Sequence, residues 1–142
     1  MSKTIAAISP SGIHNPETFQ KGLMLIESWG HKVICSPNYK AKYLYTAGTV
    51  EERISDFIWA LENPNVDIIW FIRGGYGTAE LLAVLEKTPI SKPVIGFSDA
   101  TALLSYLWNS KQKKGYHGPV LNSVATLCDS ESLEKIKEFL DR

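Results

Sequence analysis

The sequence lacks the cysteine patterns that mark disulfide-rich and zinc-binding proteins. Its only two cysteines are Cys35 and Cys128, and neither belongs to a C-x-x-C pair or lies beside a pair of histidines. Such spacing predicts neither a disulfide framework nor a metal site. We therefore expect two buried, unreactive thiols, no bound metal and a reducing, cytoplasmic location.

The sequence also lacks net charge and long apolar runs. Fifteen basic residues balance fifteen acidic ones, so no overall field favours nucleic acid or an anionic membrane. No uninterrupted apolar run is longer than the five residues 68–72, whereas a bilayer span needs about 20. The apolar residues near the start are likewise too few for a secretory signal. We expect neither nucleic acid nor a membrane as a partner.

What the sequence does contain is enough apolar material for one core. It has 142 residues, of which 44% are hydrophobic, and we expect a single domain over residues 1–142. Short β-rich runs alternate with amphipathic segments along the chain. Strands are predicted at 4–9, 31–35, 67–72, 93–97 and 116–121, and helices at 16–29, 50–61, 78–86, 99–109 and 133–140. This alternation predicts an α/β fold, an open parallel sheet with helices on both faces.

Sites in such sheets lie beyond the carboxyl ends of the strands. The predicted strand at 93–97 runs directly into a helix through Gly96-Phe97-Ser98-Asp99-Ala100. This pattern is typical of a nucleophile elbow, a sharp turn that presents a hydroxyl above the sheet and needs small residues on either side. The alternative is that Ser98 or Asp99 only caps the helix, which both residue types do well.

A glycine-rich loop follows the strand at 67–72. It reads Arg73-Gly74-Gly75-Tyr76-Gly77, and glycines let a backbone approach a ligand or adopt positive φ. The third glycine of a dinucleotide-binding loop and the lysine of a P-loop are both absent, which disfavours phosphate binding. Two hypotheses remain open, an oxyanion loop that faces the elbow and a tight turn without a ligand.

An elbow serine needs a base, and histidine is the usual one. His14 lies in a predicted turn, and His31 begins a strand at the end of the sheet far from the elbow. His117, in Tyr116-His117-Gly118-Pro119, is the best placed of the three. A histidine that only hydrogen-bonds within its own loop is nevertheless the more common case.

The elbow and the glycine loop together resemble the LD-carboxypeptidase family of serine peptidases. The similarity covers nearly the whole chain in order. It comprises residues 8–12, 47–53, 71–77, 95–103 and 117–119, of which the R-G-G-Y-G and G-F-S-D blocks are the most specific.

The resemblance implies a flavodoxin-like sheet related to class I amidotransferases, with serine in place of their elbow cysteine. It implies that Ser98 is the nucleophile and that the backbone amides of Gly75 and Asp99 form the oxyanion hole. We expect the remaining loop residues to contact the substrate, namely Arg73, Gly74, Tyr76 and His117. The family needs no cofactor and removes the terminal D-alanine from murein tetrapeptides. Immunity-type members instead hydrolyse an aminoacyl-nucleotide antibiotic.

The sequence departs from the family pattern because the glutamate and histidine of the triad come from a second, C-terminal domain. No residue up to Arg142 matches either one. We therefore expect the nucleophile-bearing half of a carboxypeptidase, incomplete by itself, with exposed apolar surface where the second domain docks. The alternatives are a homodimer, a non-catalytic module that binds a small molecule in the same pocket, and a nucleotide or flavin binder.

Overall fold

A computed structural model describes residues 1–110 and 113–142 and contains a five-stranded sheet. Each strand is parallel to its neighbours, in the order β2-β1-β3-β4-β5. The strands are β1 Thr4–Ile8, β2 Lys32–Cys35, β3 Ile68–Phe71, β4 Val94–Gly96 and β5 Gly115–His117. The predicted open parallel sheet is confirmed. Its most apolar strand, β3, is central and buried throughout, as strands covered on both faces are.

Helices cover both faces of this sheet. They are α1 Pro16–Ser28, α2 Val50–Glu62, α3 Leu82–Leu85, α4 Thr101–Asn109, α5 Val124–Leu127 and α6 Ser130–Asp141, with 3-10 turns at Thr78–Leu81 and Ser98–Ala100. One core lies under α2, α3 and α4 and includes Phe57 and Leu103. The other lies under α1, α5 and α6 and includes Ile26 and Leu140. Across the described part of the chain, every helix is too short or too polar to cross a bilayer.

Local sequence signals account for the ends of the two longest helices. Thr49 caps α2 in a capping box, in which its hydroxyl accepts from the N–H of Glu52 and its own N–H donates to the Glu52 carboxylate. Gly30 has φ of 90° just beyond α1, which is the conformation that ends a helix at glycine. Both features agree with the predicted boundaries.

Two predicted elements differ from the structure. The last strand ends at His117 instead of residue 121, because the chain then crosses back over the sheet. There the N–H groups of Leu121 and Asn122 donate to the carbonyls of Phe71 and Ile72, at the end of β3. The predicted helix at 78–86 is a 3-10 turn followed by the single turn of α3, and α5 was not predicted.

Candidate active site

The glycine loop and the elbow meet at the carboxyl ends of the neighbouring strands β3 and β4. A Cβ placed on Gly74 would lie 3.0 Å from the Cβ of Ser98 and 3.3 Å from its Oγ. The loop backbone is therefore in contact with the serine, and a side chain at position 74 would crowd it. This confirms the prediction that the two loops face each other.

The backbone at Ser98 has the strained conformation of a nucleophile elbow. Its φ is 58°, a value that non-glycine residues adopt only at a cost, and its side chain is exposed. A Cβ on Gly96 would lie 2.5 Å from the Cβ of Ala100. The turn is therefore tight enough to require small residues on both sides, as the sequence pattern predicted.

The capping hypothesis for Ser98 and Asp99 is wrong, because neither side chain caps the helix that follows it. The Asp99 carboxylate instead accepts from the N–H of Thr78 at 3.0 Å and from its hydroxyl at 2.7 Å. The Thr78 hydroxyl also lies 2.7 Å from that of Ser11. This network ties the elbow to the end of the glycine loop and to the loop after β1.

The glycines of the loop allow an approach that a side chain would block. Gly75 and Gly77 have φ of 126° and 121°. The N–H of Gly12 donates to the carbonyl of Gly74 at 2.9 Å, and a Cβ on Gly75 would lie 2.9 Å from that same nitrogen. The glycine loop and the loop after β1 are therefore packed backbone against backbone.

Sequence reasoning missed the role of Arg53 beneath this loop. The residue is only 3% exposed, and its guanidinium donates to the carbonyls of Pro10 at 3.0 Å, Gly77 at 2.9 Å and Gly48 at 3.2 Å. A further bond runs to the Glu80 carboxylate at 2.9 Å. Its position in the sequence could have indicated this role, because Arg53 precedes the core residue Phe57 by one helical turn and so faces inward.

Three polar groups at the elbow are free to act on a ligand. Within residues 1–110 and 113–142, the N–H groups of Gly75 and Asp99 donate to no other group, and the Ser98 hydroxyl has no hydrogen-bond partner. A nucleophile next to unpaired N–H donors is the arrangement that acyl transfer requires.

The remaining predicted residues surround the elbow. The Tyr76 ring is 73% exposed and meets Tyr45 edge-on, with 5.9 Å between centroids. The His117 ring lies 5.0 Å from that of Phe97 and makes no hydrogen bond to the serine. Arg73 is exposed and donates to the carbonyl of Ile13. All three lie at the carboxyl edge of the sheet, where the sequence placed them.

The other two histidines lie apart from the elbow. His31 is buried at the opposite end of the sheet, where its Nδ1 accepts from the N–H of Lys3. His14 is buried against Phe19 and Tyr39 in the loop after β1. Burial is the first cause that lowers the pKa of each imidazole, so both favour the neutral form.

The cysteines differ slightly from expectation, since both are half-buried instead of fully buried. Burial raises the pKa of each thiol, which keeps it protonated and unreactive at neutral pH. Over the described residues, no group of three histidine, cysteine or acidic side chains is placed to hold a metal ion.

A parallel α/β domain in which a serine at a tight strand-to-helix turn faces a glycine loop is typical of a hydrolase. Comparison with known proteins then identifies the family, because the sequence pattern of the LD-carboxypeptidase N-terminal domain matches residues 5–118. The chain belongs to the LD-carboxypeptidase family.

Individual relatives agree with this assignment. A protein of Synechocystis sp. with a carboxypeptidase name is 38% identical over 96% of the chain and 46% of its own length. The murein tetrapeptide carboxypeptidase of Pseudomonas aeruginosa is 33% identical over 84% of the chain and 40% of its own length. The solved structure of the microcin C7 self-immunity protein with aspartyl sulfamoyl adenosine is 25% identical. It superposes with a TM-score of 0.83 over 100% of the chain and 45% of that protein. The chain thus spans less than half the length of these relatives.

Proposed function

We propose that the chain is the nucleophile-bearing domain of a serine carboxypeptidase that removes terminal D-alanine from murein tetrapeptides, and that it works in the cytoplasm. The observation that carries this proposal is the exposed Ser98 at positive φ beside two unpaired backbone N–H groups. The likeness to a murein tetrapeptide carboxypeptidase supports the choice of substrate.

In this mechanism the Ser98 Oγ attacks the carbonyl carbon of the bond that precedes D-alanine. The oxygen of the tetrahedral intermediate accepts hydrogen bonds from the N–H groups of Gly75 and Asp99, which stabilise its developing charge. The C–N bond then breaks, D-alanine leaves with a proton from a general acid, and water hydrolyses the acyl-serine. Arg73, Gly74, Tyr76 and His117 line the approach to the serine and hold the peptide.

We propose that the general base of this mechanism comes from outside the described residues. The Ser98 hydroxyl bonds to no histidine in the part of the chain that the structure describes. The chain also covers less than half of its relatives, which leaves room for a second domain that supplies the histidine and glutamate. Removal of the base from a serine triad leaves only a residual effect of the oxyanion hole and binding.

Exposed apolar side chains at the same edge of the sheet support docking of such a domain. Phe97, next to the nucleophile, is 49% exposed, and Leu44, Tyr45 and Tyr76 are more exposed still. Apolar side chains grouped around a site are typical of an interface. A homodimer that covers this edge is the alternative, and analytical ultracentrifugation of the chain tests it.

The proposed function is tested by D-alanine release from murein tetrapeptide. We expect the chain to release D-alanine slowly, and Ser98→Ala to abolish this release. Ser105→Ala, at an exposed serine of α4, is the matched control and should leave it unchanged. Release at a normal enzyme rate would contradict the missing base, and release that survives Ser98→Ala would contradict the nucleophile.

The likeness to the microcin C7 self-immunity protein favours a second candidate, the hydrolysis of an aminoacyl-nucleotide conjugate. Parallel assays with murein tetrapeptide and with an aspartyl nucleotide conjugate separate the two by the amino acid released. Binding that survives Ser98→Ala, with neither product formed by the wild type, would instead indicate a non-catalytic module.

A further inference from the structure

A cavity opens beside the glycine loop, at the carboxyl ends of β1 and β2. Its volume is about 340 Å³, and the loops that follow the two strands enclose it. His14 and Tyr39 form its inner wall, and Lys40 and Lys42 stand at its rim. The proposed reaction at the elbow does not use any of these side chains.

His14 is built into this cavity and is only 8% exposed. Its ring stacks on Tyr39 with 5.7 Å between centroids and meets Phe19 edge-on at 4.9 Å. Its Nδ1 is buried, yet it has no hydrogen-bond partner among the residues that the structure describes. Buried polar atoms in native proteins are nearly always paired, so an unpaired one calls for a ligand or a water.

The charges around His14 all have the same sign. After burial, the causes that lower the pKa of His14 are Lys40, Lys42 and Arg73, in that order, and no acidic group acts against them. No aspartate or glutamate lines the cavity. An imidazole kept neutral still carries one N–H and can donate it to an anion without adding a buried charge.

The cavity is connected to the elbow by short backbone contacts. Arg73 donates to the carbonyl of Ile13, which precedes His14. Two residues earlier, the N–H of Gly12 donates to the carbonyl of Gly74, and Gly74 lies against Ser98. Gly12 and His14 lie at most about 7 Å apart along the chain, and Gly12 reaches Ser98 through Gly74, so a peptide bound at the serine can extend toward the cavity.

We propose that this cavity binds a free carboxylate of the peptide whose terminal bond lies at Ser98. The ammonium groups of Lys40 and Lys42 attract the carboxylate, and the imidazole N–H of His14 donates to it. This subsite rests on the proposed function and deepens it, since it selects acidic peptides over neutral ones.

The donors in the cavity suit a carboxylate better than a phosphate. Phosphate sites are usually built from backbone N–H groups at a helix N-terminus or a nest. The first N–H groups of α1, those of Glu17 and Thr18, already donate to the Asn15 side chain at 2.9 and 3.2 Å. The cavity therefore offers side-chain cations and one imidazole.

The test measures binding of murein tetrapeptide to the chain by isothermal titration calorimetry, beside the same peptide with its carboxylates converted to amides. Lys40 and Lys42 are both exposed, so Lys40→Gln with Lys42→Gln should fold normally. We expect this pair to weaken binding of the free acid about tenfold and to leave the amidated peptide unaffected. The control pair, Lys32→Gln with Lys87→Gln, removes the same charge from exposed positions outside the cavity and should change little.

A second measurement reports on His14 without a substitution. We expect the Nδ1 resonance of its imidazole to shift in ¹⁵N NMR spectra when the free acid is added, and not when the amidated peptide is added. The subsite is overturned if the free acid and the amidated peptide bind equally, or if the two lysine pairs lose equal affinity. Displacement of the peptide by inorganic phosphate also overturns it. So does the absence of tetrapeptide binding at millimolar concentration.

These outcomes are separate from failure of the proposed function. Ser98→Ala should leave tetrapeptide binding intact, because the serine lies outside the cavity. D-alanine release that survives Ser98→Ala contradicts the nucleophile and leaves the subsite standing. Lysine variants that bind as the wild type does, together with release that depends on Ser98, contradict the subsite alone.

Discussion

The two ends of the parallel sheet differ in how many of their polar groups are paired. At the amino end, Asp67 accepts from the N–H of Thr4 at 2.7 Å, His31 accepts from that of Lys3, and Lys92 donates to the carbonyl of Ala60. At the carboxyl end, the Ser98 hydroxyl, the N–H of Gly75 and the Nδ1 of His14 have no partner within the described residues.

Backbone strain occurs at both ends of the sheet but at different kinds of residue. At the amino end, positive φ occurs at Gly30, for which it costs little, and at Lys113 just before β5, whereas at the elbow it is carried by Ser98. Such strain persists only where the surroundings hold it, and here Arg53 and the Asp99–Thr78 contact hold the loops from beneath. The elbow thus combines a strained serine with unpaired polar groups, whereas at the amino end the buried Nε2 of His31 is unpaired but lies 3.5 Å from the Asp141 carboxylate.

The largest expected effect is that of Arg53→Met. It leaves the buried carbonyl of Pro10 and the partly buried carbonyl of Gly77 without their donor, and we expect it to lower the free energy of unfolding by about 3 kcal/mol. The contact with half-exposed Glu80 contributes little to that figure. Urea denaturation measures the change. Arg73→Met, at an exposed arginine of the glycine loop, is the control and should cost less than about 0.5 kcal/mol. Equal losses of stability in the two variants would mean that the buried Arg53 guanidinium does not stabilise the loops at the carboxyl end of the sheet.

A pair of glycine exchanges tests where the strain lies. Ser98→Gly should raise the free energy of unfolding by about 1 kcal/mol, because strain relief exceeds the entropy that glycine costs. Gly30→Ala, where φ is 90° and nothing crowds the site, should lower it by about 1 kcal/mol. Thermal and urea denaturation report both changes. Changes of the same sign would remove the contrast between the two ends.

The residues in these two tests differ in how far the sequence could predict their roles. The elbow was readable because Gly96 and Ala100 flank the serine within one turn, and the Thr49 cap was readable for the same local reason. The partners of Arg53 come from loops at residues 10, 48 and 77, which only the folded sheet brings together. The unpaired Nδ1 of His14 likewise depends on ring packing between distant segments, which no spacing encodes.

The smallest effect is a dependence of stability on pH. Because burial lowers the pKa of His14 and His31, the unfolded chain binds protons more readily than the folded one. The free energy of unfolding should therefore be steady above about pH 6.5, the ordinary value for histidine, and decline as the pH falls toward the lowered values.

Urea titrations at pH 7.5 and 5.5 measure this decline in the wild type, His14→Gln and His31→Gln. We expect His14→Gln to flatten it more, because only His31 has an acidic neighbour, Asp141, which opposes the shift. A larger flattening from His31→Gln would place the stronger perturbation at the amino end.

The positive φ of Ser98 also restricts which nucleophile this elbow can carry. A side chain branched at Cβ is poorly tolerated in that region, so threonine would disturb the backbone before it could react. Cysteine has the same unbranched Cβ as serine and would fit without rearrangement. The turn itself therefore leaves serine and thiol chemistry open and excludes a secondary alcohol.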